Sequence, residues 1–213
     1  MGSPRSSIAG NSARRARRKT ARCPWCGSDP IYVAYHDCEW GVPVMDDRAL
    51  FEKLVLDGFQ AGLSWITVLR KRAAFTRAFG GFDPERIARF GAADRRRLLA
   101  NADIIRSRAK IDAAILNARV WLEVMQAGGR GAFRDLLWQS VNHETIVHRY
   151  RSMRDVPPTS HQSEAMSRTL RDAGFRFCGP TICYAFMQAV GMVNDHLMSC
   201  PRHEACERLA RRH

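Results

Sequence analysis

The sequence predicts an all-α fold, and three observations lead there. Between Asp46 and Val190, apolar residues recur mostly at helical spacing. Asp, Ser and Pro stand where these segments begin, and Gly stands where several end. No alternating apolar–polar run is strong enough for a sheet, and no internal repeat is present.

Each element follows from its own signals. Asp46 or Asp47 caps a helix through Asp57, with Leu50, Phe51, Leu54 and Val55 on one face. A second helix is predicted from about Ser64 to Phe79. Asp83-Pro84, a cap followed by a first-turn proline, starts a short helix to Phe90. Another runs from about Ala93 to Asn101. The segment from Arg108 to Met125 is long and amphipathic, with Ile111, Ile115, Ala118 and Leu122 at helical spacing, and Gly128-Gly129 ends it. Ser163 to Ala173, stopped by Gly174, and Thr181 to Val190 complete the set.

A chain of 213 residues can bury a good core. It is read as one domain, or two small lobes around one cleft. No apolar run is long enough to span a membrane, and no apolar leader segment marks a secretory signal. Seven cysteines, an odd count, do not form a short disulfide framework, so a reducing compartment with free or metal-ligating thiols is expected.

The formal net charge is +13 with a pI near 10.2. Residues 1–22 hold Arg5, Arg14, Arg15, Arg17, Arg18, Lys19 and Arg22 without one acid, and read as a disordered basic arm ahead of a helical domain over 23–213. A basic excess remains without the arm, in clusters such as Arg70-Lys71-Arg72, Arg95-Arg96-Arg97 and Arg149/Arg151/Arg154. This fits a polyanionic partner, although charge alone does not specify nucleic acid.

The densest chemistry lies between Tyr32 and Trp65. Tyr32, Tyr35, Trp40, Phe59 and Trp65 interleave with Asp37, Glu39, Asp57 and Gln60 in a chain only 9% aromatic. Aromatic planes with carboxylate or amide acceptors suit a pocket for a flat, nitrogen-rich, cationic ring such as a nucleobase. The same composition also fits a hydrophobic core with polar residues facing water.

The segments YVAYHDCEWGVP, LFEKLVLDGFQAGLSWITVLRKR, IIRSRAKI and GFRFCGPTICYAFMQAVGMVNDH closely resemble the DNA-3-methyladenine glycosylase I family, in order from Cys23 to Cys200. The resemblance implies a two-lobed, bundle-like helix-hairpin-helix glycosylase fold. It implies flipping and excision of 3-methyladenine from double-stranded DNA containing alkylated adenine, by a monofunctional enzyme without lyase activity. A monomer acting in the bacterial cytoplasm at the nucleoid, away from any membrane, goes with it. Asp57 stands where the family has a glutamate that accepts a hydrogen bond from the base, and is the catalytic candidate. Trp65 matches the stacking tryptophan, Tyr35 a tyrosine at the base edge, and Tyr32, Trp25 and Trp40 are further aromatic candidates. Phe59, where glutamine is familiar, and Ala185, where a small hydroxyl is familiar, suggest an altered pocket.

NADIIRSRAKI would be the hairpin, with Arg106, Arg108 and Lys110 contacting DNA phosphates beside backbone N–H groups at a helix N-terminus. Asp103 replaces a familiar glycine there. Lys110 also raises the idea of a Schiff-base lyase, with a plain helix-face lysine as the other reading. The resemblance further implies a structural zinc ion on Cys23, His36, His196 and Cys200, a clasp between the N- and C-terminal segments. His196-x-x-x-Cys200 would present both ligands on one face if helical. Cys26 of the Cys23-Pro24-Trp25-Cys26 pair could compete, and His203 and Cys206 are similar distractors. Two other functions stay open: a damaged-base binder with weak or altered excision, because the pocket acid is Asp57, and a zinc-clasped helical protein binding RNA or nucleic acid in general.

Overall fold

The computed structural model describes residues 21–212. Most of the basic arm therefore lies outside the described residues. Its last residue, Arg22, forms an ion pair with Asp37.

Ten helices follow in order among the described residues: α1 (Pro30–Cys38), α2 (Asp47–Gln60), α3 (Trp65–Ala78), α4 (Pro84–Ala88), α5 (Ala92–Ala100), α6 (Arg108–Gly128), α7 (Ala132–Trp138), α8 (His161–Asp172), α9 (Pro180–Ala189) and α10 (Pro201–Ala210). The start signals act as expected. Asp46, not Asp47, caps α2 by accepting from the Arg48 and Ala49 amides. Asp83 caps α4 and Ser107 caps α6.

Three helices go beyond the sequence reading: α1, α7 and α10. Asp29-Pro30 opens α1 with the same cap-plus-proline signal as Asp83-Pro84; Asp29 accepts from the Ile31 and Tyr32 amides. The helix α7 is short, and Pro201 opens α10. A two-residue parallel pair, β1 (Ile146–Val147) with β2 (Val193–Asn194), also forms. It is too short for alternation to announce.

Helix α2 is the centre. It packs on α3, α6, α7 and α9 and buries Leu50, Phe51, Leu54 and Val55. Phe59 lies here too, with its ring 4.7 Å from Phe75 and 5.7 Å from Phe79. This corrects the sequence expectation: Phe59 fills the core and does not line the pocket.

The segment after α1 runs alongside the end of α9. Gly41 and Val44 donate to the Gln188 and Val190 carbonyls. At Gly191, φ is +72° and a Cβ would fall 2.4 Å from the Pro43 nitrogen, so only glycine lets the two backbones pass.

Candidate active site and metal centre

Helices α1, α2, α3 and α9 surround a cavity of about 200 Å³. Trp25, Tyr32, Tyr35, Trp40 and Trp65 supply its aromatic wall. Lys53, Asp57 and Gln60 come from α2, Ala185 and Gln188 from α9, and Met153 from a 3-10 turn. All five aromatic candidates, Asp57 and the altered Ala185 thus meet in one place. The wall is braced by ring contacts: Trp25 meets Tyr32 and Trp40 edge-on at 5.0 and 4.9 Å, and Tyr35 lies tilted 5.3 Å from Trp65.

Asp57 is only 2% exposed. It lies in the last turn of α2, where the negative end of the helix disfavours a carboxylate. Burial pushes its carboxyl up, opposed by the neighbouring Lys53. One oxygen pairs with the Lys53 ammonium, while the other is buried without a hydrogen-bond partner among the described residues. The arrangement leaves one carboxylate oxygen free to accept from a ligand in the cavity, which makes Asp57 a candidate site residue. Burial first, then the nearby Asp57, raises the Tyr35 phenol far above its ordinary range, which keeps it a hydrogen-bond donor.

Lys53 escaped the sequence reading. It stands one helical turn before Asp57, and its ammonium lies 4.0 Å from the centroid of the Trp65 ring. Burial lowers its pKa, opposed by Asp57. Gln188 was missed as well. Its amide nitrogen donates to Asp195, a buried carboxylate that also binds Tyr184 and His148. The Lys53–Asp57 spacing was visible as an i,i+4 ion pair; the Gln188–Asp195 pairing depends on the chain turning back after α9.

Behind the aromatic wall, Cys23, His36, His196 and Cys200 converge, all buried, with their ligand atoms within 4.8 Å of one another. Thiol-to-imidazole separations of 3.6–3.7 Å approach the ~3.5 Å between ligands of a tetrahedral S2N2 zinc site. The other ring nitrogens are engaged as such a site requires. His36 Nδ1 lies 2.8 Å from the Asp37 carboxylate, and His196 Nε2 lies 3.0 Å from the Trp40 carbonyl. Those bonds leave His36 Nε2 and His196 Nδ1 as lone-pair donors. The Leu197 amide also donates to the Cys23 sulfur. Asp37 itself is held at about 2, by Arg22 first and His36 after it. The donor set therefore fits a metal ion.

His196 and Cys200 do not share a helix, contrary to the conditional expectation. Residues 195–197 are irregular, 198–199 turn, and Cys200 is the N-cap of α10. The turn suffices because the Cys200 amide bonds back to the Leu197 carbonyl. Cys26 stands apart, its thiol donating to the Cys23 carbonyl. His203 is engaged by the His148 carbonyl, and Cys206 by Arg202. Gly41, at φ +81°, lets the chain pass the His196 ring, where a Cβ would sit at 3.1 Å.

The hairpin joins α5 to α6. Arg106 and Arg108 are exposed on it. Lys110 is placed differently: its ammonium donates to the Phe59 and Ala61 carbonyls at the end of α2. Lys71 clamps the turn from α3 by donating to the Ala102 and Asp103 carbonyls. Two lysines thus tie the hairpin to the helices carrying Asp57 and Trp65. Asp103 is absent from the positive-φ residues, so this turn does not need the glycine. In the Arg70-Lys71-Arg72 cluster, the flanking arginines pair with Asp29 and Glu39, so this run serves internal bonds.

The sequence profile of the methyladenine glycosylase family matches residues 25–203. The DNA-3-methyladenine glycosylase of Haemophilus influenzae is 48% identical over 182 residues, covering 85% of this chain and 97% of that protein. DNA-3-methyladenine glycosylase 1 of Escherichia coli is 48% identical over 179 residues, covering 84% and 95%. A crystal structure of a 3-methyladenine DNA glycosylase I superposes with a TM-score of 0.82 at 49% identity, covering 85% of this chain and 98% of that one. The Staphylococcus aureus enzyme, solved for the structural basis of 3-methyladenine recognition, gives 0.81 at 36% identity, covering 86% and 96%. With its profile matched over most of its length and its helices superposing on those structures, the chain belongs to the methyladenine glycosylase family.

Proposed function

We propose that this protein excises 3-methyladenine from double-stranded DNA by hydrolysing the N-glycosidic bond. The observation that carries the reading is the buried, half-satisfied Asp57 carboxylate inside an aromatic cavity. The relatives named as DNA-3-methyladenine glycosylases supply the lesion.

The damaged nucleotide leaves the stack and enters the cavity. Its cationic ring lies against Trp65, with Tyr35 at its edge and Tyr32, Trp25 and Trp40 excluding water. The free oxygen of Asp57 accepts a hydrogen bond from the base and balances its charge. As the bond to C1′ breaks, its electron pair stays on the base, which departs neutral. Water adds to C1′ and loses a proton, leaving an abasic sugar. Because the leaving base is already activated by alkylation, positioning and electrostatics carry more of the work than acid catalysis.

Arg106 and Arg108, exposed beside the N-terminus of α6, are the phosphate contacts in this reading. Lys110 adds charge while holding the hairpin on α2. Its engagement by two carbonyls supports a monofunctional enzyme without a Schiff-base lysine there. The metal is zinc, held by Cys23, His36, His196 and Cys200; with four protein ligands it supplies folding energy and no chemistry. The helical domain over 23–213 works as a monomer in the cytoplasm, at the nucleoid. Bacterial relatives support that location, and no helix among the described residues is long and apolar enough to cross a membrane.

The pocket is tested with the free base. Titration of 3-methyladenine by calorimetry should show binding that Trp65→Ala abolishes while circular dichroism stays helical. Equal binding by Trp65→Ala would place the base elsewhere.

A further inference from the structure

We propose that Lys53 is a specificity-determining residue of the pocket: its ammonium holds the place of the cationic base between the Trp65 ring and the Asp57 carboxylate, and leaves when the base binds. The inference rests on the reading of this cavity as the base pocket.

Three observations carry it. The ammonium stands 4.0 Å over the Trp65 ring and pairs with Asp57 at the same time. These are the two contacts a cationic base needs, a ring face and a carboxylate. Lys53 also lines the cavity itself, so the ammonium and a base compete for one volume. Finally, its side chain retains 16% exposure, against 1% for that of Asp57. The lysine therefore has a way out on its flexible four-carbon stem, while the acid has none. Glu39, already paired with Arg72, is a second carboxylate whose field favours the charged lysine.

A resident cation makes the empty pocket tolerable. A lone buried carboxylate in the last turn of α2 would be costly and would take up a proton. It also raises the threshold for binding. A neutral normal base does not neutralise the Asp57 charge and so cannot replace the ammonium, whereas an alkylated cationic base exchanges one cation for another. Lys53 thus favours damaged over normal bases through competition, without touching the base in the bound state.

The probe is 3,9-dimethyladeninium, which keeps its positive charge. Lys53→Met should bind it about tenfold more tightly than the unaltered protein, a change worth ~1.4 kcal/mol. A second measurement uses the unaltered protein, in case the variant folds poorly. The Lys53 ε-methylene proton signal, shifted upfield by the Trp65 ring, should return towards its ordinary position as the probe saturates the pocket. An ε-methylene that stays shielded at saturation, or a folded Lys53→Met with unchanged affinity, overturns the inference while the pocket stands. Trp65→Ala in parallel separates the two ideas. Full binding by that variant removes the pocket reading and the inference together; lost binding with a tightened Lys53→Met supports both.

Discussion

Asp57→Asn is expected to reduce excision of 3-methyladenine by at least about a hundredfold, since losing one electrostatic contact to a developing transition state costs on the order of 10²–10³ in rate. The substitution keeps the shape of the side chain and removes its charge. The cationic base then meets an amide, and the pocket no longer balances the charge it selects. The amide also leaves Lys53 without its ion-pair partner. We expect a stability loss of ~1–3 kcal/mol, limited because Lys53 can carry its ammonium to water. Single-turnover kinetics on methylated duplex DNA, beside a thermal melt, separates the two effects. Unchanged excision by folded Asp57→Asn would remove the assigned role.

The second large effect is metal loss. Chelation, or Cys200→Ser, should release one zinc per chain and lower Tm by about 8–16 °C. That follows from a linkage term of ~4 kcal/mol for a ligand at a thousand times its Kd and a melting shift of about 2–4 °C per kcal/mol for a chain of this size. The damage should spread to the pocket. The Trp40 carbonyl fixes His196, the Trp40 ring packs 4.5 Å from that imidazole, and Trp25 lies 5.3 Å from His36. Near-ultraviolet circular dichroism of the tryptophans should therefore fall as the metal leaves, and free-base affinity with it. Elemental analysis of the purified protein together with the melt checks this. A metal-free chain with an unchanged Tm would reduce the four residues to core thiols and imidazoles.

Much of the architecture was legible because its signals are local. Helices α2 to α6, α8 and α9 carry caps, first-turn prolines or apolar stripes in the sequence itself. The cap-plus-proline at Asp29-Pro30 is an equally local signal for α1. The β1–β2 pair was not readable, because two residues give no periodicity and their pairing joins positions 47 apart. At the site, Asp57 and the aromatic residues were visible as types. Which way each one faced was decided by packing. Phe59 shares the stretch with Asp57 and Gln60 yet turns into the Phe75 and Phe79 core. Lys110 stands among basic residues yet serves the end of α2. The candidate metal ligands Cys23 and His36 stand 160 or more positions before His196 and Cys200, and only the resemblance joined them before the fold did.

The most direct test of the whole account is the identity of the base released from methylated double-stranded DNA, followed by chromatography and mass spectrometry. Free 3-methyladenine appearing with time, from protein shown to be folded and metal-loaded, is the expected result. No released base from that same protein would contradict the account and leave a damaged-base binder in its place.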